Sequence, residues 1–450
     1  MTESNEVEKT SNTVENYTLN NPDTLTKYKT AAQISHKVLE AVTGWCLEGT
    51  KIIEICQKGD QLLEEEIAKV YKGKKIAKGK FHRCALNVSR VKQKKKQKEK
   101  DSISHPTTVS PSSFVTPYTP LVSDTEEANT TLKAGEVVKI QLGAQIDGFG
   151  TIVCDSIIVP GKDTPQDVVT GREADLILAT YYANELLLRL MVPPGLLASG
   201  TEEEKKKAAA EKPPTQAKIS SLIEKVAKAY DCNVIENTTS WLFERNEIEG
   251  KKKIILSPSG GVKGEGSPEV GEVWGVEVGL SLGSGKVKTL ENRPTLHRRT
   301  TTTYLLKRPS SRQTLSEIVK KFGTFPFSLR QLDDEKAGKV GLVECVRGGV
   351  VRQYEPTGDS DGAPVARLLT TIAITKNGIT RLAAPPTLDL SKFKSDKKIE
   401  DEEILKILEQ PLARSTGSKG KNKKKKKKPK KATQQQQQEN EEEEESSDEE

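Results

Sequence analysis

Between Val137 and Val159 the chain reads VVKIQLGAQIDGFGTIVCDSIIV, two apolar, β-branched runs on either side of Asp147-Gly148. The near alternation from Glu136 to Gln145 predicts a strand, and Thr151 to Val159 is its returning partner. Asp-Gly supplies the pair of positive-φ residues that a tight hairpin requires. Antiparallel sheet is therefore built into the chain. Elsewhere the apolar period lengthens: Ala31, Ile34, Val38, Val42 and Trp45 predict a helix over Tyr28 to Gly49. Further helices are expected over Ile52 to Tyr71, with Gly59 an interruption, and over Ala174 to Met191, Ile219 to Tyr230 and Thr314 to Phe322. Strands are expected at Lys253 to Leu256, Val273 to Leu282, Thr302 to Lys307, Val340 to Val346 and Leu368 to Thr375. Pro106, Pro111, Pro117 and Pro120 among Ser and Thr predict a loop or extended connection. Ser199 to Pro214, with its EEEKKKAAAEKPP, predicts a solvated insertion. Strands mixed with helices give an α+β body with an antiparallel or mixed sheet.

The chain has 450 residues, of which 34% are hydrophobic and 30% charged. So low an apolar share implies unburied leader, linker or tail beside the core. No apolar run reaches the roughly 18 residues of a membrane span, and the acidic start lacks a secretory pattern. Six scattered cysteines without a CxxC pair suit buried thiols better than disulfides or zinc. The charge is segregated. Lys72 to Lys100 carries +12, Lys419 to Lys431 carries +10 and Glu439 to Glu450 carries −9. Taking these from the total of +7 leaves −6 for the remainder, a mildly acidic body with two concentrated basic segments. Lys94, Lys95 and Lys96, with Lys423, Lys424, Lys425, Lys426, Lys427, Lys428, Lys430 and Lys431, are the candidate phosphate contacts. The dense C-terminal run also fits a nuclear import signal, or a solvated tail and nothing more. Phosphate contacts carry no base reading, and the scarcity of interleaved aromatics argues against stacking on single strands.

Catalytic patterns are thin. Gly279 to Lys286 resembles a phosphate loop, but its spacing is wrong and Val287 stands where Ser or Thr should hold magnesium. His36, His82, His105 and His297 show no ligand-like spacing, so packing or solvated roles are expected. No nucleophile elbow occurs.

The hairpin sequence resembles that of the pita-bread fold of type II methionine aminopeptidases. Three later segments strengthen the likeness: CNVIEN near Asn233, GEVWGVEVGLSLGSGK around Val276 and FPFSLRQLDDEKAGKVGLVEC from Phe325. The last, with CQKGD at Cys56 to Asp60 and the terminal lysine run, is similar to the proliferation-associated, ErbB3-binding family, which includes curved DNA-binding protein. The resemblance spans about Lys27 to Pro411. It implies an α/β (α+β) pita-bread body over 24–412, two pseudo-symmetric halves, with a basic insertion near 72–104 and a type II insertion near 293–364. A disordered leader, 1–23, and tail, 413–450, flank it. Within the body, Phe81 to Lys98 looks inserted, either a genuine basic loop or a retained intron.

Active relatives hold two divalent metals with two Asp, one His and two Glu. The resemblance places these ligands on Gln141, Ile152, Ser240, Glu277 and Leu369. A one-residue slip would bring in Trp241 or Leu368, neither a ligand. One carboxylate cannot hold two hard cations, so no metal, no cofactor and no catalysis are expected. The implied function is binding to ribosomal RNA and the large ribosomal subunit, in ribosome assembly and growth control. The implied location is nucleus, nucleolus and cytoplasm, with other protein partners and no membrane. A DNA-binding regulator and a working aminopeptidase are the rivals.

Overall fold

The computed structural model describes residues 17–70, 101–162 and 168–414. The candidate lysines at 94–96 and 423–431 lie outside them. Helix α1, Pro22–Trp45, starts where Asn21 accepts the Asp23 N–H at 3.0 Å, slightly before the expected end of the leader. Helix α2, Ile52–Lys69, runs through Gly59 because it crosses a strand closely: a Cβ there would stand 2.6 Å from the Thr107 side chain. That strand, β1 (Ser102–Pro111), begins within the expected basic insertion, at Ser102 to Ser104, and runs into the stretch expected to be a loop or extended connection. It lies at the edge of the main sheet, with register shifts on both sides of His105. Edges and bulges are where a sheet tolerates proline.

The hairpin forms as expected. Strands β2 (Val137–Ile146), β3 (Phe149–Gly150) and β4 (Val153–Ile158) follow one another, with Asp147 at φ 54° and Gly148 at φ 84° in the turn. Then come α3 (Arg172–Leu190), α4 (Glu202–Ala209) and α5 (Gln216–Ala229). Helix α4 lies in the segment expected to be only a solvated insertion. None of its residues is buried, and Thr201 and Glu204 close a capping box at its start. Strands β5 (Asn233–Val234), β6 (Thr238–Phe243), β7 (Lys253–Leu256), β8 (Val273–Ser281) and β9 (Val287–Thr289) complete the second half.

Next, β10 (Leu296–Arg299), α6 (Pro309–Lys321), β11 (Pro326–Ser328), α7 (Glu335–Arg347) and β12 (Val351–Gln353) form a three-stranded sheet with two helices. Their core joins Ile318, Phe322, Phe327, Leu342 and Cys345. Two expected strands are absent here. Thr302 to Lys307 is irregular, and Val340 to Val346 belongs to α7. Val340, Val343 and Val346 recur every third residue, a helical spacing. Asp334 caps the Ala337 N–H at 3.0 Å, and Gly338, Gly341, Leu342 and Cys345 form the buried stripe.

Strands β13 (Thr357–Asp359), β14 (Val365–Thr375) and β15 (Gly378–Ala383) and helix α8 (Glu402–Leu408) end the body. The main sheet runs β1-β2-β4-β14-β8-β6-β7, and each strand along it is antiparallel to its neighbours. A helix pair covers one face of each half. Helices α1 and α2 pack on Val138, Ile140, Leu142 and Val153. Helices α3 and α5 pack on Trp274, Val276, Val278 and Ile372. Alternation therefore turns Gln141, Cys154, Glu277 and Leu369 to the opposite face.

Candidate functional site

On that opposite face one row of side chains crosses five strands. Thr108 of β1 pairs with Gln141 of β2, Gln141 with Cys154 of β4, Cys154 with Leu369 of β14, and Leu369 with Glu277 of β8. Gln141, Ile152, Glu277 and Leu369 line a cavity of about 460 Å³, with His105, Trp241, Glu249, Arg352 and Arg367 around them. Four of the five expected positions thus converge. Ser240 does not. It is fully buried on the helix side of β6, where its Oγ accepts the Glu277 N–H at 2.9 Å. Its neighbour Trp241 faces the cavity, as the one-residue slip allows.

Arg367 occupies the ground beside Glu277. Two residues before Leu369 on β14, it points to the same face, and its Nε donates to Glu277 Oε1 at 2.8 Å. A second guanidinium nitrogen contacts the same oxygen, and Nη1 donates to the Val115 carbonyl at 2.7 Å. Burial works against the Arg367 charge, but Glu277 beside it more than offsets this and pushes the guanidinium above its usual range. The ion pair is fixed from behind: Ser156 Oγ donates to the Arg367 carbonyl and accepts its N–H, both at 2.7 Å.

His105 stands across from Arg367, fully enclosed. Its Nδ1 lies 2.8 Å from the Pro106 carbonyl and its Nε2 lies 3.0 Å from Gln141 Nε2. A carbonyl only accepts, so Nδ1 carries the proton and Nε2 accepts from the Gln141 amide. Burial, with Arg367 nearby, brings this imidazole down to about 4 despite the Pro106 bond, so it is neutral near pH 7. Gln141 Oε1 is left buried with no partner among the described residues. Burial also pushes the Cys154 thiol up to about 12. Below the row, Lys139 donates to the Ser112 carbonyl, and burial lowers its amine to about 7.

This donor set does not fit a pair of divalent cations. Ile152 and Leu369 offer no lone pair, Cys154 stays a thiol, and the free oxygen of Gln141 is neutral. Glu277 is already committed to a guanidinium, whose positive charge opposes any cation beside it. No group of three or more His, Cys, Asp or Glu that could hold a metal occurs among the described residues.

His105 and Arg367 were missed in the sequence. His105, expected in a packing or solvated role, falls between the basic insertion and the proline-rich stretch, where no pattern marks it. Arg367 had a signal, as the lone charge within the apolar run VARLLTTIAIT.

No family model matches the sequence. Curved DNA-binding protein of Schizosaccharomyces pombe is 38% identical over 421 residues, 92% of this chain and 97% of its own length. ErbB-3 binding protein 1 of Arabidopsis thaliana is 32% identical over 90% of both chains. The solved structure of a thermophilic Arx1 superposes with a TM-score of 0.80 at 68% sequence identity, over 87% of this chain and 99% of that one. The chain therefore belongs to the proliferation-associated and ErbB-3-binding protein family, with curved DNA-binding protein and Arx1, on the pita-bread, methionine-aminopeptidase-like fold.

Proposed function

We propose that this chain is a non-enzymatic factor that binds ribosomal RNA and the large ribosomal subunit, acting in ribosome assembly and growth control in the nucleus, nucleolus and cytoplasm. The observation that carries the non-enzymatic part is the Arg367–Glu277 pair in the cavity. Gln141, Ile152, Trp241, Glu277 and Leu369 stand, in this reading, where an aminopeptidase keeps its ligands. Without two metals no water is acidified and no carbonyl polarised. Addition of cobalt, manganese or zinc should release no methionine from a short peptide. Release that a chelator abolishes would overturn this.

The lysine runs at Lys94 to Lys96 and Lys423 to Lys431 support the RNA part, by phosphate attraction without base reading. The name of the Schizosaccharomyces pombe relative makes duplex DNA the rival ligand. Affinities for structured ribosomal RNA and for duplex DNA, compared at two salt concentrations, separate them. Stronger binding to DNA at both would favour the regulator. The unpartnered Gln141 Oε1 favours a second reading, in which the cavity captures a peptide N-terminus without cutting it. Saturable binding of short peptides, lost in Gln141→Leu, would establish that.

A further inference from the structure

A second cavity, of about 400 Å³, lies on the helix face of the main sheet, away from the row that holds Gln141 and Glu277. Its floor is Asp155, Ile157, Leu368 and Thr370 of β4 and β14, and its wall is Ile177, Tyr181 and Asn184 of α3. The strap from Ala384 to Phe393, after β15, closes the remaining side. This is the usual make-up of a small-molecule site, mostly apolar with a few converging polar groups.

Two of those polar groups have acceptor capacity that the protein leaves unused. Asn184 is 5% exposed, and its Oδ1 has no partner among the described residues. The Asp155 carboxylate receives the Ser156 N–H at 2.8 Å and no other donor among the described residues. The other charges are spoken for or stand at the rim. Glu185 is held by Arg189 at 2.8 Å and by Arg381. Asp389 caps the Ser391 N–H at 3.1 Å, and Lys392 lies on the strap. Half-buried Asp155 is left as the uncompensated charge of this cavity.

We propose that this cavity binds a small organic ammonium ion, a protonated amine on an apolar chain or ring, whose N–H groups are donated to Asp155 and Asn184. An ammonium has three donors and no acceptor, which matches two free acceptors. Its carbon body covers Ile177, Leu368 and the strap. A neutral alcohol of the same shape would leave the carboxylate without a counter-charge, and a charge-assisted bond is roughly twice as strong as a neutral one. Burial raises the Asp155 carboxyl to about 7, so the empty site is poised between its two protonation states and a bound cation favours the ionised one.

The test is calorimetric titration of the full chain with n-hexylamine and 2-phenylethylamine, each against its alcohol counterpart. At about pH 8 the amines should bind roughly tenfold more tightly than the alcohols. The preference should shrink at about pH 6, where Asp155 takes up its proton. Asp155→Asn keeps the acceptor for the Ser156 N–H and should abolish the preference without lowering the melting temperature. Asn184→Leu, of similar shape, should weaken the amines several-fold. Equal affinity for amines and alcohols, undiminished amine binding in Asp155→Asn, or no binding of either amine would each overturn the proposal.

Discussion

Arg367 and Glu277 show how one residue changes what a cavity can hold. Their side chains are 9% and 15% exposed, so the pair is poorly screened. Removing one partner of such a pair strands the other in a dry site, at a cost of about 3–5 kcal/mol, whereas removing both is far milder. Arg367→Met should therefore lower the denaturation midpoint strongly, and adding Glu277→Met should recover much of the loss. Equal stability of the single and double variants would show that the two do not act together. Glu277→Gln keeps an acceptor for the guanidinium and should leave RNA binding unaltered.

The imidazoles add a pH dependence. Burial holds His105 and His297 at about 4, below the ordinary 6.5. The unfolded chain takes up these protons first. The stability each neutral ring contributes is thus complete above about 6.5 and is lost as pH falls towards 4, on the order of 3 kcal/mol per ring. Asp155, raised from 3.8 to about 7, has the opposite sign and loses stability as pH rises across that span. His105→Gln should make the stability of the protein less sensitive to acid between about pH 6.5 and 4. An unchanged slope would mean that the ring is protonated in the folded state.

At the scale of the element, helices α6 and α7 meet at Gly341. A Cβ there would lie 2.1 Å from Thr314 Oγ1 and 2.9 Å from the Ser310 carbonyl. Gly341→Ala should force the two helices apart at a cost of about 1–3 kcal/mol. Hydrogen exchange should quicken in α6, α7 and β10 to β12 and stay slow in β2 and β14; a uniform increase would show that the insertion and the sheet unfold as one. What was legible in the sequence follows the same division between local and distant causes. The hairpin at Asp147-Gly148 and the amphipathic helices declare themselves in neighbouring residues. Strand β1 does not, because its prolines are acceptable only at an edge that the sequence cannot display. Val340 to Val346, expected as strand, belongs to helix α7, because the cap at Asp334 and the helical spacing of its valines decide otherwise. The site divides likewise. Glu277 was found in a motif, but its partner Arg367 is 90 residues away and His105 is 36 from Gln141. Only the sheet register puts them side by side.

For the whole molecule, the last described residues are tied to the body. Ile379 donates to the Leu412 carbonyl and Arg414 to the Asn377 carbonyl, both at 2.8 Å, and Arg414 Nη2 reaches the Leu196 carbonyl at 2.9 Å. A chain cut after Arg414 should melt as the full chain does, whereas a cut after Pro411 should melt lower. The first cut also removes Lys419 to Lys431. It should weaken RNA binding and flatten the salt dependence by about 0.7–0.9 for each phosphate that a lysine no longer neutralises. Unchanged affinity and slope would leave the tract as an import signal or a solubiliser.

The place of β14 bears on how the protein is made. It is nearly the last strand to leave the ribosome, yet it lies in the middle of the sheet, between β4 and β8. Until Val365–Thr375 is available, β4 and β8 have no partner to join them, and each half presents an open strand edge. Such edges invite pairing with other chains, and pairings so distant in sequence form slowly. The interval between synthesis of β8 and of β14 is then the period in which the nascent chain is most exposed to aggregation and most in need of a chaperone.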